Sequence, residues 1–225
     1  MAQNDPNWRP KAIVFDLLTA LLDSWSLWDA STPSKTPEEG RRWRKQYLEL
    51  TFGAGAYGAS PSAAYESLVE QSARDAGVPD PAPAALLRDW GNLQAWPEVA
   101  RVLGGLRGEG YRLGVVTNCS AELGRAAVRR AEGCVGGGFE FDAAVTAEES
   151  GFYKPVRAAY EAVLPKLGVT ADEVLFVAGS AGDVQGATDA GMRVVWHNRV
   201  GLARKGDAIA VREGKTLDEA LRGFL

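Results

Sequence analysis

The chain has 225 residues, 46% of them hydrophobic, and a formal net charge of −4. A chain of this size can bury a full core without a staple, as one domain with an insertion or as two small domains, and its mixed charges give no electrostatic case for a polyanion such as nucleic acid. The single histidine, His197, excludes multi-histidine metal sites, while two cysteines, Cys119 and Cys134, are too few for a disulfide framework; carboxylate chemistry becomes the leading option and a reducing, cytoplasmic compartment the expected location.

Residues 1–10 are polar and lack an apolar run, so they read as a flexible N-terminal tail and not as a signal peptide or membrane anchor. Residues 11–22 follow as a buried strand, with Ala12, Ile13, Val14 and Phe15 apolar in a row and Asp16 where the run ends. From Trp25 to about Trp96 the pattern is helical, broken at Ser31-Thr32-Pro33-Ser34 and Gly53-Ala54-Gly55, with no strand signal.

Beyond Pro97 helices and strands alternate. Helices are expected over Val99 to Arg107, Ala121 to Glu132, Pro155 to Leu167 and from Asp183; strands are expected over Leu113 to Val116, Phe141 to Val145, Val174 to Val177 and Val194 to Trp196. Such alternation implies right-handed crossovers and a doubly wound, Rossmann-like parallel sheet of the α/β class, with a helical cap inserted after the first strand. The expected division is a core of residues 11–22 and 97–225, a cap of residues 23–96 and the tail.

Ligands of such sheets bind at the carboxyl ends of the strands. Asp16 follows the first strand, Thr117-Asn118 the second, and Gly179-Ser180-Ala181-Gly182-Asp183 a later one. A carboxylate at the end of a buried strand is costly unless it is paired or has a task. Lys154, just before the helix-favouring Pro155, is the evident counter-charge and Asp183 the second acid. An ion network that merely ties loops together is the plain alternative for any one of these residues; three at successive strand ends favour a site.

These residues also carry a resemblance. Phe15-Asp16-Leu17-Leu18-Thr19-Ala20-Leu21, Thr117-Asn118, Lys154-Pro155 and Ala178-Gly179-Ser180-Ala181-Gly182-Asp183 are similar, in order and spacing, to the four motifs of the haloacid dehalogenase superfamily. Phosphatases of that superfamily resemble one another in a second acid two residues after the nucleophile, where this chain has Leu18, and in a further acid where it has Gly179; few hard oxygen ligands and no general acid disfavour metal-assisted phosphoryl transfer. The stretch Trp43-Arg44 to Leu48-Glu49-Leu50-Thr51, with Tyr160 and Trp196-His197-Asn198-Arg199, resembles the L-2-haloacid dehalogenase branch.

What this resemblance implies is hydrolytic dehalogenation of short 2-halo acids through an aspartyl ester, without metal or cofactor. Asp16 would be the nucleophile, Lys154 would keep it ionised, Asp183 would position or activate water, and Arg44 would receive the halide or pair with the substrate. Thr117 and Asn118 would hold the substrate carboxylate, Tyr160 would support Lys154 or the halide, and Leu18, Thr19 and Ser180 would line the site. A halide leaves without a proton donor, so Leu18 costs this reaction nothing. The implied partner is a small carboxylate, with no membrane or nucleic acid, and dehalogenases of this kind are often homodimers. The chain departs from the branch at Ala20, Ala178 and Ser180, each change removing or shortening a polar group.

Plainer readings stand beside these. Arg44 lies in the charged run Arg41-Arg42-Trp43-Arg44-Lys45, ordinarily a solvated helix face. Tyr47 and Leu50 read as lid packing, His197 as a hydrogen-bonded structural histidine, and a Cys119–His197 thiol pair lacks an orienting third group. The alternatives to dehalogenation are a magnesium-dependent phosphatase or phosphonate hydrolase of the same superfamily, and a non-catalytic binding relative.

Overall fold

The computed structural model describes residues 8–225. Six parallel strands form one sheet: β1 (Ala12–Phe15), β2 (Arg112–Thr117), β3 (Ala143–Thr146), β4 (Val174–Ala178), β5 (Arg193–His197) and β6 (Arg212–Gly214), in the order β3-β2-β1-β4-β5-β6. This is the doubly wound order, with its switch between β1 and β4. Phe15 is therefore flanked by Val115 and Val177, and Asp16 emerges at the crevice between the two halves.

Four helices, α1 (Ser24–Ser31), α2 (Pro37–Gly53), α3 (Tyr65–Asp75) and α4 (Pro81–Arg88), fill the stretch between β1 and β2 and make the cap; α5 (Val99–Gly108) returns the chain to the core. Then come α6 (Ala121–Val135), α7 (Ala147–Ser150), α8 (Arg157–Glu161), α9 (Leu164–Leu167), α10 (Ala181–Asp189) and α11 (Leu217–Ala220). Strand alternation assigns the two faces: Ile13 and Phe15 pack with Val102, Leu106 and Ala127 on one side, Ala12 and Val14 with Tyr160, Val163 and Ala187 on the other.

α2 starts with Pro37 at a position whose N–H would have no helical partner, and Glu38 and Glu39 in its first turn favour the positive end of the helix dipole. Its inner face packs through aromatic rings: Trp28 lies 6.0 Å from Trp43 and 5.5 Å from Tyr47, ring centre to ring centre. The Trp43 indole donates to Ser72 Oγ at 2.8 Å, tying α2 to α3. The cap joins the core through two chains running side by side, where Asp23 N donates to Gln94 O at 2.8 Å and Trp96 N to Leu21 O at 3.0 Å.

Four expectations change. The first strand stops at Phe15 because Asp16 accepts the amides of Thr19 and Ala20, folding the chain back on itself in place of an extended run to Leu22. The helix expected from Pro155 to Leu167 divides into α8 and α9; Pro165 has no N–H for the Glu161 carbonyl and its ring crowds it. β6 went unread, since three residues, Arg-Glu-Gly, carry no apolar run. Residues 1–7 of the expected tail lie outside the described residues, but Trp8 is packed: it meets Phe224 edge-on at 6.4 Å, and Arg193 lies 4.1 Å over its ring.

Candidate functional site

Asp16 sits at the tip of β1, 6% exposed, with both carboxylate oxygens engaged. Oδ1 accepts from Lys154 Nζ at 2.7 Å; Oδ2 accepts from Thr19 Oγ1 at 2.6 Å, Thr19 N at 2.9 Å and Ala20 N at 3.2 Å. Burial pushes this carboxyl up, but the charge and hydrogen bond of Lys154 and the Thr19 donors outweigh it and hold Asp16 below the ordinary aspartate value. Asp16 is thus an ionised carboxylate in a nearly dry setting.

Lys154 Nζ reaches Asp183 as well, 3.1 Å from Oδ1 and 3.2 Å from Oδ2. Burial alone would lower its pKa; the two carboxylates raise it above the ordinary lysine value. Asp183 also accepts from Tyr160 at 2.9 Å and Ser180 at 3.0 Å, yet burial, with the Asp16 charge beside it, lifts its carboxyl above the usual range. Two acids sharing one ammonium are driven apart: Asp16 stays charged and Asp183 becomes the more basic.

Lys154 is placed by Asn118, whose carbonyl oxygen accepts Lys154 N at 2.7 Å and whose amide donates to Lys154 O at 3.1 Å. Asn118 O in turn accepts the Tyr47 hydroxyl at 3.0 Å, a contact between cap and core. The loop of Asp16 is held from behind: Trp96 Nε1 donates to Thr19 O at 3.1 Å and His197 Nδ1 to Ala20 O at 2.9 Å.

Arg44 closes the site from α2. It is 1% exposed, lies 4.2 Å over Trp28 and 4.7 Å over Tyr47, and donates from Nη2 to Ser24 Oγ at 3.0 Å. Its Nε and Nη1 have no hydrogen-bond partner, and no carboxylate pairs with it among the described residues. A guanidinium stays charged at any working pH, so an unpaired buried one calls for an anion. The charged run around it does not lie wholly in solvent: positions 44, 47, 48, 51 and 52 share one face of α2 and line a cavity of about 20 Å³ with Asp16, Lys154 and Asp183. That volume suits a single water.

Of the residues expected from the sequence, Asp16, Lys154, Asp183, Arg44, Thr117, Asn118, Leu18, Thr19 and Ser180 converge on this cavity. Tyr160 stands behind it, bonded to Asp183 and not to Lys154. Asn118 spends much of its side chain on the Lys154 backbone. Tyr47, expected only to pack the lid, also lines the cavity, as do Leu48, Thr51 and Phe52, which sequence reasoning did not place there; the i, i+3, i+4, i+7, i+8 spacing from Arg44 is the signal that finds them. The Cys119 thiol is pushed up to about 12 by burial, the reverse of an activated nucleophile.

The donors fit magnesium poorly. Both Asp16 oxygens are spent on Lys154 and the Thr19 loop, Leu18 and Gly179 offer no side-chain oxygen, and no cluster of three His, Cys, Asp or Glu side chains suited to a metal occurs among the described residues.

A family model of haloacid dehalogenase-like hydrolases matches residues 10–191, and the chain belongs to that family. It is 31% identical over 202 residues to haloacetate dehalogenase H-2 of Moraxella sp., covering 86% of this chain and 88% of that one. It is 30% identical over 198 residues to (S)-2-haloacid dehalogenase 2 of Pseudomonas sp., covering 84% of each. The solved structure of the L-2-haloacid dehalogenase RSc1362 is similar with a TM-score of 0.79 at 27% identity, over 96% of this chain and 98% of that one.

Proposed function

We propose that this protein hydrolyses the carbon–halogen bond of short 2-halo acids, giving 2-hydroxy acids and halide through an ester on Asp16. The observation that carries the reading is the unpaired Arg44 guanidinium facing the ionised Asp16 across one small cavity; a halo acid brings the missing anion and an electrophilic carbon together. The named dehalogenase relatives support it.

In this reading an Asp16 oxygen attacks the α-carbon from the side opposite the halogen, the carbon–halogen bond breaks with its electron pair, and halide departs toward Arg44 with inversion. Lys154 orients Asp16. Water gives one proton to Asp183 and adds to the Asp16 carbonyl carbon. The ester bond breaks, and the leaving alkoxide takes that proton from Asp183 and departs as the hydroxy acid with an oxygen that came from Asp16. The water oxygen stays on the enzyme as its second proton is released and Asp16 returns to the carboxylate. Leu18, Leu48 and Phe52 keep bulk water out of the cavity.

The reading includes residues 23–96 as the lid over a core of 11–22 and 97–225, a cytoplasmic setting, and a homodimer. Among the described residues no helix is long and apolar enough to cross a membrane. Light scattering tests the oligomer.

Halide release from 2-chloropropionate and haloacetates, with and without chelator, beside phosphate release from an aryl phosphate, tests the chemistry. Chelator-resistant halide release that Asp16→Asn abolishes is expected, with ¹⁸O from labelled water entering Asp16 in a single turnover. Chelator-sensitive phosphate release would replace this reading with a phosphatase, and silence on every substrate would leave a binding protein.

A further inference from the structure

Beside the small catalytic cavity lies a groove of about 760 Å³, within the size range of small-molecule sites. Trp25, Leu48 and Phe52 of the cap form one wall; Pro155, Val200 and Leu202 of the core form the other. Its lips are joined by Lys205 and Glu49, 2.6 Å apart and well exposed, a contact that breaks at little cost.

The groove and the cavity share Leu48, Phe52 and Ser180 as lining residues, so the two spaces adjoin at these side chains. Phe52 is the movable one. It is part-exposed at the end of α2, and its ring rests on bare backbone: a Cβ on Gly182 would come within 2.6 Å of Phe52 ring carbons. Gly182 therefore makes the seat, and any larger residue there would push the ring away.

The contrast in volume decides what the groove is for. A cavity of about 20 Å³ takes the reacting centre of a small acid only by some opening of the lid, and nothing larger stays inside. A substituent that continues from the α-carbon past Leu48 and Phe52 would meet the apolar side chains of the groove. We propose that this groove is a subsite for the hydrocarbon substituent of 2-halo acids longer than propionate, reached when Phe52 swings off Gly182. The proposal rests on the dehalogenase reading above and adds the substrate's chain length to it.

The test is halide release from 2-bromopropionate, 2-bromobutyrate and 2-bromohexanoate by the full chain, by Ala203→Trp and by Phe52→Ala. Ala203 is exposed in the groove and does not touch the catalytic cavity, so tryptophan there fills the groove alone. Unmodified protein is expected to process all three acids. Ala203→Trp should lower kcat/KM for 2-bromohexanoate by about tenfold or more, the scale on which apolar pockets discriminate, and leave 2-bromopropionate unchanged. Phe52→Ala should raise the hexanoate-to-propionate ratio. Turnover of 2-bromopropionate alone, or an Ala203→Trp effect equal on short and long acids, overturns the subsite while leaving the dehalogenase reading intact. Absence of halide release from 2-bromopropionate and haloacetates overturns the dehalogenase reading and the subsite with it.

Discussion

Thr19 occupies the space that Gly179 leaves open: a Cβ on Gly179 would lie 2.3 Å from the Thr19 hydroxyl oxygen and 2.3 Å from Ala20 N. From that position the hydroxyl donates to Asp16 Oδ2 at 2.6 Å. Ala20, where the chain departs from the dehalogenase branch, has no hydroxyl and cannot make this bond. The missing glycine side chain thus lets Thr19 orient the carboxylate instead. Thr19→Val, which keeps the shape and deletes the donor, is expected to lower kcat for halide release by about 10²-fold, the usual scale for one donor at a reacting group. Gly179→Ala should lower both kcat and Tm, since the loop itself must move. An unchanged kcat in Thr19→Val would remove Thr19 from this role.

Lys154 places its ammonium between two buried carboxylates, Asp16 and Asp183. Lys154→Met should cost about 3–5 kcal/mol of stability at neutral pH, because unpaired charge is left inside. The loss should shrink in acid, where Asp16 and Asp183 can bind protons and need no counter-charge. Urea unfolding at pH 7 and pH 5 measures it, and an equal loss at both would refute the account.

Arg44 should behave in the opposite way. Its guanidinium is buried without an anion, so Arg44→Met is expected to leave the empty protein as stable or about 1 kcal/mol more stable. The same change should reduce kcat/KM for halo acids by about 10²- to 10³-fold. Added chloride or acetate should raise Tm of the unaltered protein and not of the variant. A strongly destabilised Arg44→Met would show that the residue is structural.

His197 gives the fold a pH dependence. Burial holds its ring below the ordinary value of 6.5, and its Nε2 lies 3.8 Å from Glu98 with no hydrogen-bond partner. The unfolded chain therefore binds a proton below about pH 6.5 that the folded chain resists, and stability falls as pH drops through that window by up to about 1.4 kcal/mol per pH unit. Asp183, lifted above its ordinary 3.8 by burial, works in the other direction. His197→Gln, whose amide can still donate to Ala20 O, should flatten the slope between pH 7 and 5.5 in denaturant titrations; an unchanged slope would place the dependence elsewhere.

Much of this protein was legible along the chain. The apolar run of Ala12 to Phe15, the later strands alternating with helices, and the acids and the lysine at strand ends define a parallel sheet and its reactive edge, because side-chain period and burial are local properties that a linear pattern records. The order of the strands was not legible, because alternation and right-handed crossovers leave open which strand lies beside which, and only the structure shows β1 paired with both β2 and β4. Short elements escaped: β6 has too few residues to carry a period, and the break at Pro165 was hidden in an otherwise helical run.

Only the tertiary structure decided which side of α2 faces the site. In the charged run from Arg41 to Lys45 any residue could have pointed to solvent, and the choice of Arg44 depends on Trp28, Tyr47 and Ser24 being brought against it from other turns and another helix. The same holds for the Thr19–Gly179 and Phe52–Gly182 contacts, which join residues far apart in the chain. Chemistry-bearing residue types are written in the sequence, but distance and desolvation, which set whether a charge is paired, poised or idle, arise only when separate segments pack.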